Sequence, residues 1–109
     1  LPDQVPHDKN QQVFAPFFGV MAETMTLIAR LAHKTQATVI FTYAERLPNG
    51  QGFHLHFFPA PQGIDAIDLH VATQALNQGV ELCVHGCVEQ YQWGYKRFKT
   101  RPAGETMMY

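Results

Sequence analysis

The segment from Ala37 to Tyr43 constrains the fold of this chain more than any other. It is rich in β-branched residues and almost continuously apolar, which is typical of a strand covered on both faces. Before it, apolar side chains recur with a helical period and predict a helix from Met21 to Lys34. A short strand over 12–16 and a turn over 17–19 come first. This order predicts a βαβ unit with a right-handed parallel crossover.

The next segments predict a hairpin and a second helix. Asn49-Gly50 is a strong turn signal. It is followed by alternation over 53–58, which predicts a strand antiparallel to 37–43, with Phe53, Leu55 and Phe57 on its apolar face. A helix is predicted from about Ile64 to Cys87. Its inner face would carry Ala72, Leu76, Val80, Cys83 and Cys87. Two internal glycines, Gly79 and Gly86, each disfavour helix by about 1 kcal/mol relative to Ala and predict a bend or an early end.

We therefore predict an α/β fold, with a partial mixed sheet of about three strands, one βαβ crossover plus a β-hairpin, and two main helices. A chain of 109 residues with 46% hydrophobic and 16% charged residues is long enough for one domain at most. Three strands make a thin sheet. We expect residues 1–109 to be a single partial domain, the C-terminal portion of a larger protein, and a second copy of the chain could cover the sheet edge.

Residues 89–109 form what we call the basic-aromatic tail. Four of the chain's eight Lys and Arg residues alternate there with Trp93, Tyr95 and Phe98, although the net charge is only −1. Such a strip suggests a surface that meets a phosphate, a lipid headgroup or a nucleic acid. A non-catalytic module that binds nucleic acid or a membrane surface is therefore an alternative to an enzyme. The pI near 6.6 weakens the nucleic-acid alternative, and we expect no nucleic-acid partner.

Metal and disulfide sites are not predicted. His54 and His56 share one face of a strand and could chelate together, but spacing places no third ligand, and zinc sites need three or four. Solvent-facing histidines are the favoured interpretation. Cys83 and Cys87 lie four apart on a predicted helix, where a disulfide has poor geometry, so two buried thiols are favoured.

Several motifs occur together in a recognisable order. Leu1-Pro2-Asp3-Gln4 is followed by Val13-Phe14-Ala15-Pro16-Phe17-Phe18-Gly19, then by Glu89-Gln90-Tyr91-Gln92-Trp93 and Lys96-Arg97-Phe98-Lys99-Thr100-Arg101-Pro102. Together they resemble the C-terminal third of the late lipid A biosynthesis acyltransferases (lauroyl and myristoyl transferases), in the lysophospholipid acyltransferase superfamily. The resemblance covers essentially the whole chain. It departs at Val88, where the family usually has Pro.

The resemblance implies an acyltransferase of lipopolysaccharide biosynthesis at the cytoplasmic face of the bacterial inner membrane. Its donor would be acyl carrier protein, its acceptor a phosphorylated lipid A precursor, and no cofactor is expected. A missing N-terminal part would hold the membrane anchor, so the present fragment would be soluble. The family uses a His as general base, followed five positions later by an acid. None of the six His here is followed at that spacing by Asp or Glu. We expect the fragment alone to be inactive, with no catalytic residue of its own.

The resemblance also suggests roles for ten residues. Asp3 and Gln4 would support the pocket; the alternative for Asp3 is a loop cap. Phe14, Phe17 and Phe18 would line the acyl-chain groove, although three Phe beside a strand are also typical of core. The acceptor's anionic groups would be bound by Lys96, Arg97, Lys99 and Arg101 with Trp93. The alternative there is a solvated cationic face whose aromatics anchor the tail.

Overall fold

The computed structural model describes residues 1–109, with four strands and two helices. In chain order these are β1 (Gln12–Phe17), β2 (Val20–Met25), α1 (Leu27–Thr35), β3 (Ile40–Arg46), β4 (Phe53–Pro59) and α2 (Leu69–Gly86). Short 3₁₀ turns lie at Pro48–Gly50 and Val88–Gln90. The predicted α/β class and two main helices are confirmed. Neither helix has both the length and the apolar character needed to cross a bilayer.

The strands form two separate antiparallel hairpins, β1 with β2 and β3 with β4. The β3–β4 hairpin is the predicted one. The predicted βαβ crossover and three-stranded mixed sheet are wrong, because β1 pairs with β2 and not with β3. The cause is a two-residue loop in which Phe18 and Gly19 both have positive φ, of 49° and 77°. Positive φ at both central residues is the condition for a type I′ turn, which reverses a strand onto its neighbour.

Helix α1 is shorter than predicted because residues 20–25 belong to β2. The helix starts at Leu27 and ends where Gln36 adopts a left-handed φ of 56°, with its backbone N–H bonded to the Ala32 carbonyl. His33 and Lys34 occupy the last turn, as predicted, and cations are favourable at that end of the helix dipole. The apolar spacing predicts a helix start at Met21, which lies within β2.

Helix α2 begins five residues later than predicted. The Asp68 carboxylate caps it by accepting from the His70 backbone N–H at 2.9 Å, while Ile64 is buried in the preceding loop. The helix continues through Gly79 and ends at Gly86. Its buried face includes the predicted Ala72, Leu76 and Val80. Leu76 and Val80 belong to one core cluster with Phe17, Ala22 and Phe41 of the strands.

The two glycines of α2 let the β3–β4 hairpin approach the helix closely. A Cβ at Gly79 would lie 2.3 Å from Phe41 Cζ, and one at Gly86 would lie 1.9 Å from the Tyr43 hydroxyl. Phe41 and Tyr43 are two apart on β3 and therefore face the same side. The two glycines thus allow the helix and the hairpin to pack closely. This packing outweighs the low helix propensity of glycine.

The opposite face of this hairpin is exposed. Ile40, Phe53, Leu55 and Phe57 are between 52% and 65% exposed. The prediction that the strand over 37–43 is covered on both faces is therefore wrong, because α2 packs only on the side of Phe41 and Tyr43. The continuous apolar run shows that both faces of the strand carry apolar side chains. It does not show whether another element packs on each face.

Candidate functional site

An aromatic cavity lies between the β1–β2 turn and the basic-aromatic tail. Its volume is about 240 Å³. The walls are mostly aromatic: Phe17, Phe18, Val20, Tyr91, Trp93, Tyr95, Arg97, Phe98 and Tyr109. Two groups of residues that the sequence assigned separately therefore meet at one place. Phe17 and Phe18 came from the acyl-groove set, and Trp93 and Arg97 from the acceptor set.

Phe18 stands at the tip of the β1–β2 turn in a strained conformation. A φ of 49° is unusual for an aromatic residue, and residues held in such conformations cluster at functional sites. Its backbone N–H donates to the Glu81 carboxylate of α2 at 2.6 Å. The residue is 38% exposed, and its ring packs edge-on against Phe17 and His85. Helix α2 thus fixes this aromatic side chain while leaving part of its ring accessible.

Trp93 forms the facing wall. Its indole Nε1–H donates to the Val88 carbonyl at 2.9 Å, and its ring is edge-on to Tyr91 with centroids 4.9 Å apart. The centroid of Phe18 is 6.4 Å away. Trp93 is still 57% exposed. The ring is therefore oriented by its own segment and remains available for contact with an apolar ligand.

Arg97 lies inside the protein, not on the surface that the cationic strip suggested. It is 3% exposed. Its Nη1 donates to the Glu23 carbonyl of β2 at 2.6 Å, and its Nη2 to the Thr24 hydroxyl at 3.3 Å. The guanidinium also stacks over the Phe17 ring at 5.5 Å. Burial lowers the pKa of Arg97, while nearby Tyr91 and Asp3 oppose that change.

A buried polar cluster next to Arg97 was missed from the sequence. The Glu23 side chain is fully buried, and neither carboxylate oxygen has a hydrogen-bond partner. The nearest cation is Lys9, whose Nζ is 3.9 Å from Oε1. Asn77 of α2 donates to the Thr24 hydroxyl at 3.0 Å and to the Pro16 carbonyl at 3.2 Å. The one available signal was a Glu in the middle of the segment Met21–Met25.

The remaining cations of the tail divide into two kinds. Arg101 donates to the Met21 carbonyl at 2.8 Å and pairs with Glu105, so it also holds the tail to β2. Lys96 and Lys99 are exposed. Lys96 Nζ lies 5.7 Å from the centre of the Tyr109 ring. Of the four cations, only the two lysines present their charges to solvent, and neither lines the aromatic cavity.

The other predicted residues lie elsewhere. Asp3 borders a second, mostly apolar cavity of about 280 Å³ between the N-terminal residues, β3 and α2. Tyr91 lines both cavities. Burial, and then the charge of Asp3, raise the pKa of Tyr91. Gln4 and Phe14 line neither cavity. Phe14 lies on the face of β1 opposite to the buried Ala15 and Phe17.

Both cysteines line the second cavity as free thiols. The prediction that both thiols are buried is wrong, because each residue is partly exposed where it borders this cavity. Cys83 packs against the core and Cys87 caps the end of α2. Burial is the main cause that raises the pKa of each thiol. Neither thiol is therefore set up as a ready nucleophile at neutral pH.

Comparison with known proteins supports the resemblance stated above. The sequence model of the bacterial lipid A biosynthesis acyltransferase family matches residues 1–100. The chain is 35% identical over 98 residues, 89% of its length, to the lipid A biosynthesis lauroyltransferase of Escherichia coli K12. It is 32% identical to the palmitoleoyltransferase and the myristoyltransferase of that strain, over 99% and 100% of its length.

These matches cover only part of each relative. The chain spans 32%, 35% and 33% of the lauroyl-, palmitoleoyl- and myristoyltransferase, about a third of each. The family match nevertheless extends over nearly all of the chain, including the β1–β2 turn and the part of the tail up to residue 100. Of the residues that line the aromatic cavity, only Tyr109 lies outside the match. The chain belongs to the bacterial lipid A biosynthesis acyltransferase family.

Proposed function

We propose that this chain is the C-terminal part of an acyltransferase that transfers a fatty acyl chain from acyl carrier protein to a lipid A precursor. The reaction would take place at the cytoplasmic face of the bacterial inner membrane. The family membership supports the reaction class, since the relatives are named for lauroyl, palmitoleoyl and myristoyl transfer in lipid A biosynthesis.

One observation carries the assignment of a substrate site to this part of the enzyme. Phe17, Phe18, Trp93 and Arg97 line a single cavity although they lie up to 80 positions apart in the chain. An apolar wall next to cationic groups suits an amphiphile with a fatty chain and anionic groups. Such pockets bind by apolar contact and use a few polar groups for orientation.

The walls of the cavity have distinct proposed roles. The acyl chain would lie against Phe17, Phe18 and Trp93, where each buried CH₂ contributes about 0.8 kcal/mol. Phosphates or sugar carboxylates would meet Lys96 and Lys99 as exposed point charges. Arg97 has an unpaired Nε within the wall and would act at the inner end. Arg101 would hold the tail in place.

Proton abstraction from the acceptor hydroxyl would need a group outside this chain. No His here has an acid five positions later, and the only His–carboxylate pair within 4.0 Å is His56 with Glu45. That pair belongs to the β3–β4 hairpin and does not line the aromatic cavity. We therefore propose that a polypeptide of these 109 residues does not catalyse acyl transfer. Asp3 and Gln4 would only support the pocket.

Binding at the cavity can be tested with the chain itself, because Trp93 is its only tryptophan. Dodecyl phosphate, kept below its micelle concentration, should shift Trp93 emission saturably, whereas ethyl phosphate should not. Phe18→Ala should weaken binding by about tenfold, a loss of ~1.4 kcal/mol. The matched control is Phe57→Ala, an exposed aromatic on the other hairpin. Equal effects of both substitutions would contradict the proposed site.

Activity is tested in an enzyme of the family's full length that carries this segment. Trp93→Ala and Lys99→Ala should lower transfer from lauroyl–acyl carrier protein to the lipid A precursor, while Lys34→Ala on α1 should not. Transfer rates that stay at the wild-type level in both site variants, with folding intact, would argue against this surface as a substrate site.

A second copy of the chain is the partner we propose for the exposed face of the β3–β4 hairpin. Four large apolar side chains on one small face are unfavourable in water. Sedimentation velocity should show concentration-dependent dimerisation that the double substitution Leu55→Gln and Phe57→Gln abolishes. A protein that remains monomeric at all concentrations would refute the proposed dimer.

A further inference from the structure

The β3–β4 hairpin brings two histidines and a glutamate together at one point of its helix-facing side. His54 and His56 alternate along β4 and so share a face. The strand register places Glu45 directly opposite His54 and diagonal to His56. A ligand atom from each of the three residues lies within 4.8 Å of the others. The third ligand that sequence spacing could not supply therefore comes from the neighbouring strand.

The side chains are oriented by aromatic packing. His56 stacks on Tyr43 with ring centroids 4.5 Å apart and an angle of 7° between planes. The ring of His54 is 4.2 Å from that of His56. This packing restricts the imidazoles, which lowers the entropy lost when a ligand orders them.

His56 has an unexplained polar atom. Its Nε2 is buried and has no hydrogen-bond partner. The carboxylate oxygen Glu45 Oε1 is 4.0 Å away, too far for a hydrogen bond. A buried polar atom without a partner is uncommon in folded proteins, and an ion is one of the explanations. An ion between the three residues would give Nε2 a partner.

We propose that Glu45, His54 and His56 bind a zinc ion, through two imidazole nitrogens and one carboxylate oxygen. Imidazole and carboxylate donors in this number suit Zn²⁺, with a fourth, tetrahedral position left for water. Tetrahedral zinc holds its ligand atoms about 3.4 Å apart. The ligand atoms now lie within 4.8 Å of one another, with 4.0 Å between Glu45 and His56, so zinc binding would draw them together by side-chain rotation. Mg²⁺ and Ca²⁺ demand oxygen ligands and would not compete.

The expected consequence is a clamp across the hairpin, since the ligands come from both strands. The site lies outside the aromatic cavity and does not depend on the acyltransferase proposal. Zinc binding to the folded state alone stabilises it by mass action. At free zinc one hundred times the dissociation constant, the midpoint of thermal unfolding should rise by roughly 10 °C.

The test is a Zn²⁺ titration of the metal-stripped 109-residue chain by calorimetry, with imidazole ¹⁵N shifts followed by NMR. We expect one ion per chain and shifts at His54 and His56. His54→Gln, His56→Gln and Glu45→Gln should each weaken binding by at least about tenfold. Matched controls are His7→Gln, an exposed histidine elsewhere, and Cys83→Ser with Cys87→Ser; neither should change the affinity.

His54 is exposed and Glu45→Gln is isosteric, so these two variants test the site even if His56→Gln does not fold. The proposal is overturned if the folded chain binds no zinc, or if the cluster variants bind as tightly as wild type. Equal binding of Mg²⁺ would overturn it too.

Discussion

Replacing Arg97 by Ala should destabilise the chain far more than replacing a neighbouring lysine. Arg97 is buried and joins the tail to β2 through the Glu23 carbonyl and the Thr24 hydroxyl. Lys99, two positions on, is exposed and makes no hydrogen bond through its side chain. The pair is a matched comparison of two cations in one segment.

The size of the effect follows from these contacts. A hydrogen bond from a charged donor contributes about 1.5–3 kcal/mol, and the bond of 2.6 Å to Glu23 is the stronger of the two. Truncation also removes the packing of the guanidinium on Phe17 and leaves a cavity. We expect Arg97→Ala to lower the free energy of unfolding by about 3–5 kcal/mol, and Lys99→Ala by less than about 0.5 kcal/mol. Arg97→Lys should fall between, because an ammonium keeps the charge but loses the planar fork.

The assay is urea unfolding followed by two signals. Trp93 fluorescence reports the tail, and far-ultraviolet circular dichroism reports mainly α2. In Arg97→Ala, the fluorescence change should come at lower urea than the dichroism change, because the tail detaches from β2 first. A loss below about 1 kcal/mol, or the same loss in Lys99→Ala, would refute the buried position of Arg97. It would return this arginine to the solvent-facing strip predicted from the sequence.

Three further predictions concern helix α2. Gly79→Ala should destabilise the fold by about 1–2 kcal/mol in urea unfolding, since the clash of the new Cβ with Phe41 outweighs the gain in helix propensity. The loss should vanish in a Phe41→Leu background. A stabilised Gly79→Ala protein would contradict the close contact. Cys83 should react with iodoacetamide at pH 8 more slowly in the folded than in the urea-unfolded chain, because burial and then Asp3 raise its pKa. Since folding raises the pKa of Cys83, the contribution of this thiol to the free energy of unfolding is complete below about pH 9 and is lost as the pH rises further. If the free energy of unfolding of Cys83→Ala falls as steeply with pH as that of the wild type, this thiol is excluded as the cause.

The sequence was a good guide wherever local rules decide. Asn49-Gly50 predicted the β3–β4 hairpin, and the apolar spacing from Ala72 to Val80 predicted the inner face of α2. It failed over residues 20–25, where spacing compatible with a helix is overridden by pairing with β1. Strand pairing involves residues distant in the pattern, so no local window contains it.

The candidate site shows the same division. The motifs identified the family and pointed to Phe17, Phe18, Trp93 and Arg97, but not to their meeting in one cavity. Sequence could not tell that Arg97 turns inward while Lys96 and Lys99 face solvent, because burial depends on where the tail crosses β2. Glu23 and Asn77 were missed for that reason too.

The order of residues alone therefore determined the family, the fold class and the chemistry available to the chain, because side-chain types and turn signals are local properties. Only the tertiary structure decided which of those side chains share a site. Phe18 meets Trp93 through a turn that α2 holds in place, and Glu45 meets His54 and His56 through strand register. Both depend on contacts between segments far apart in the chain.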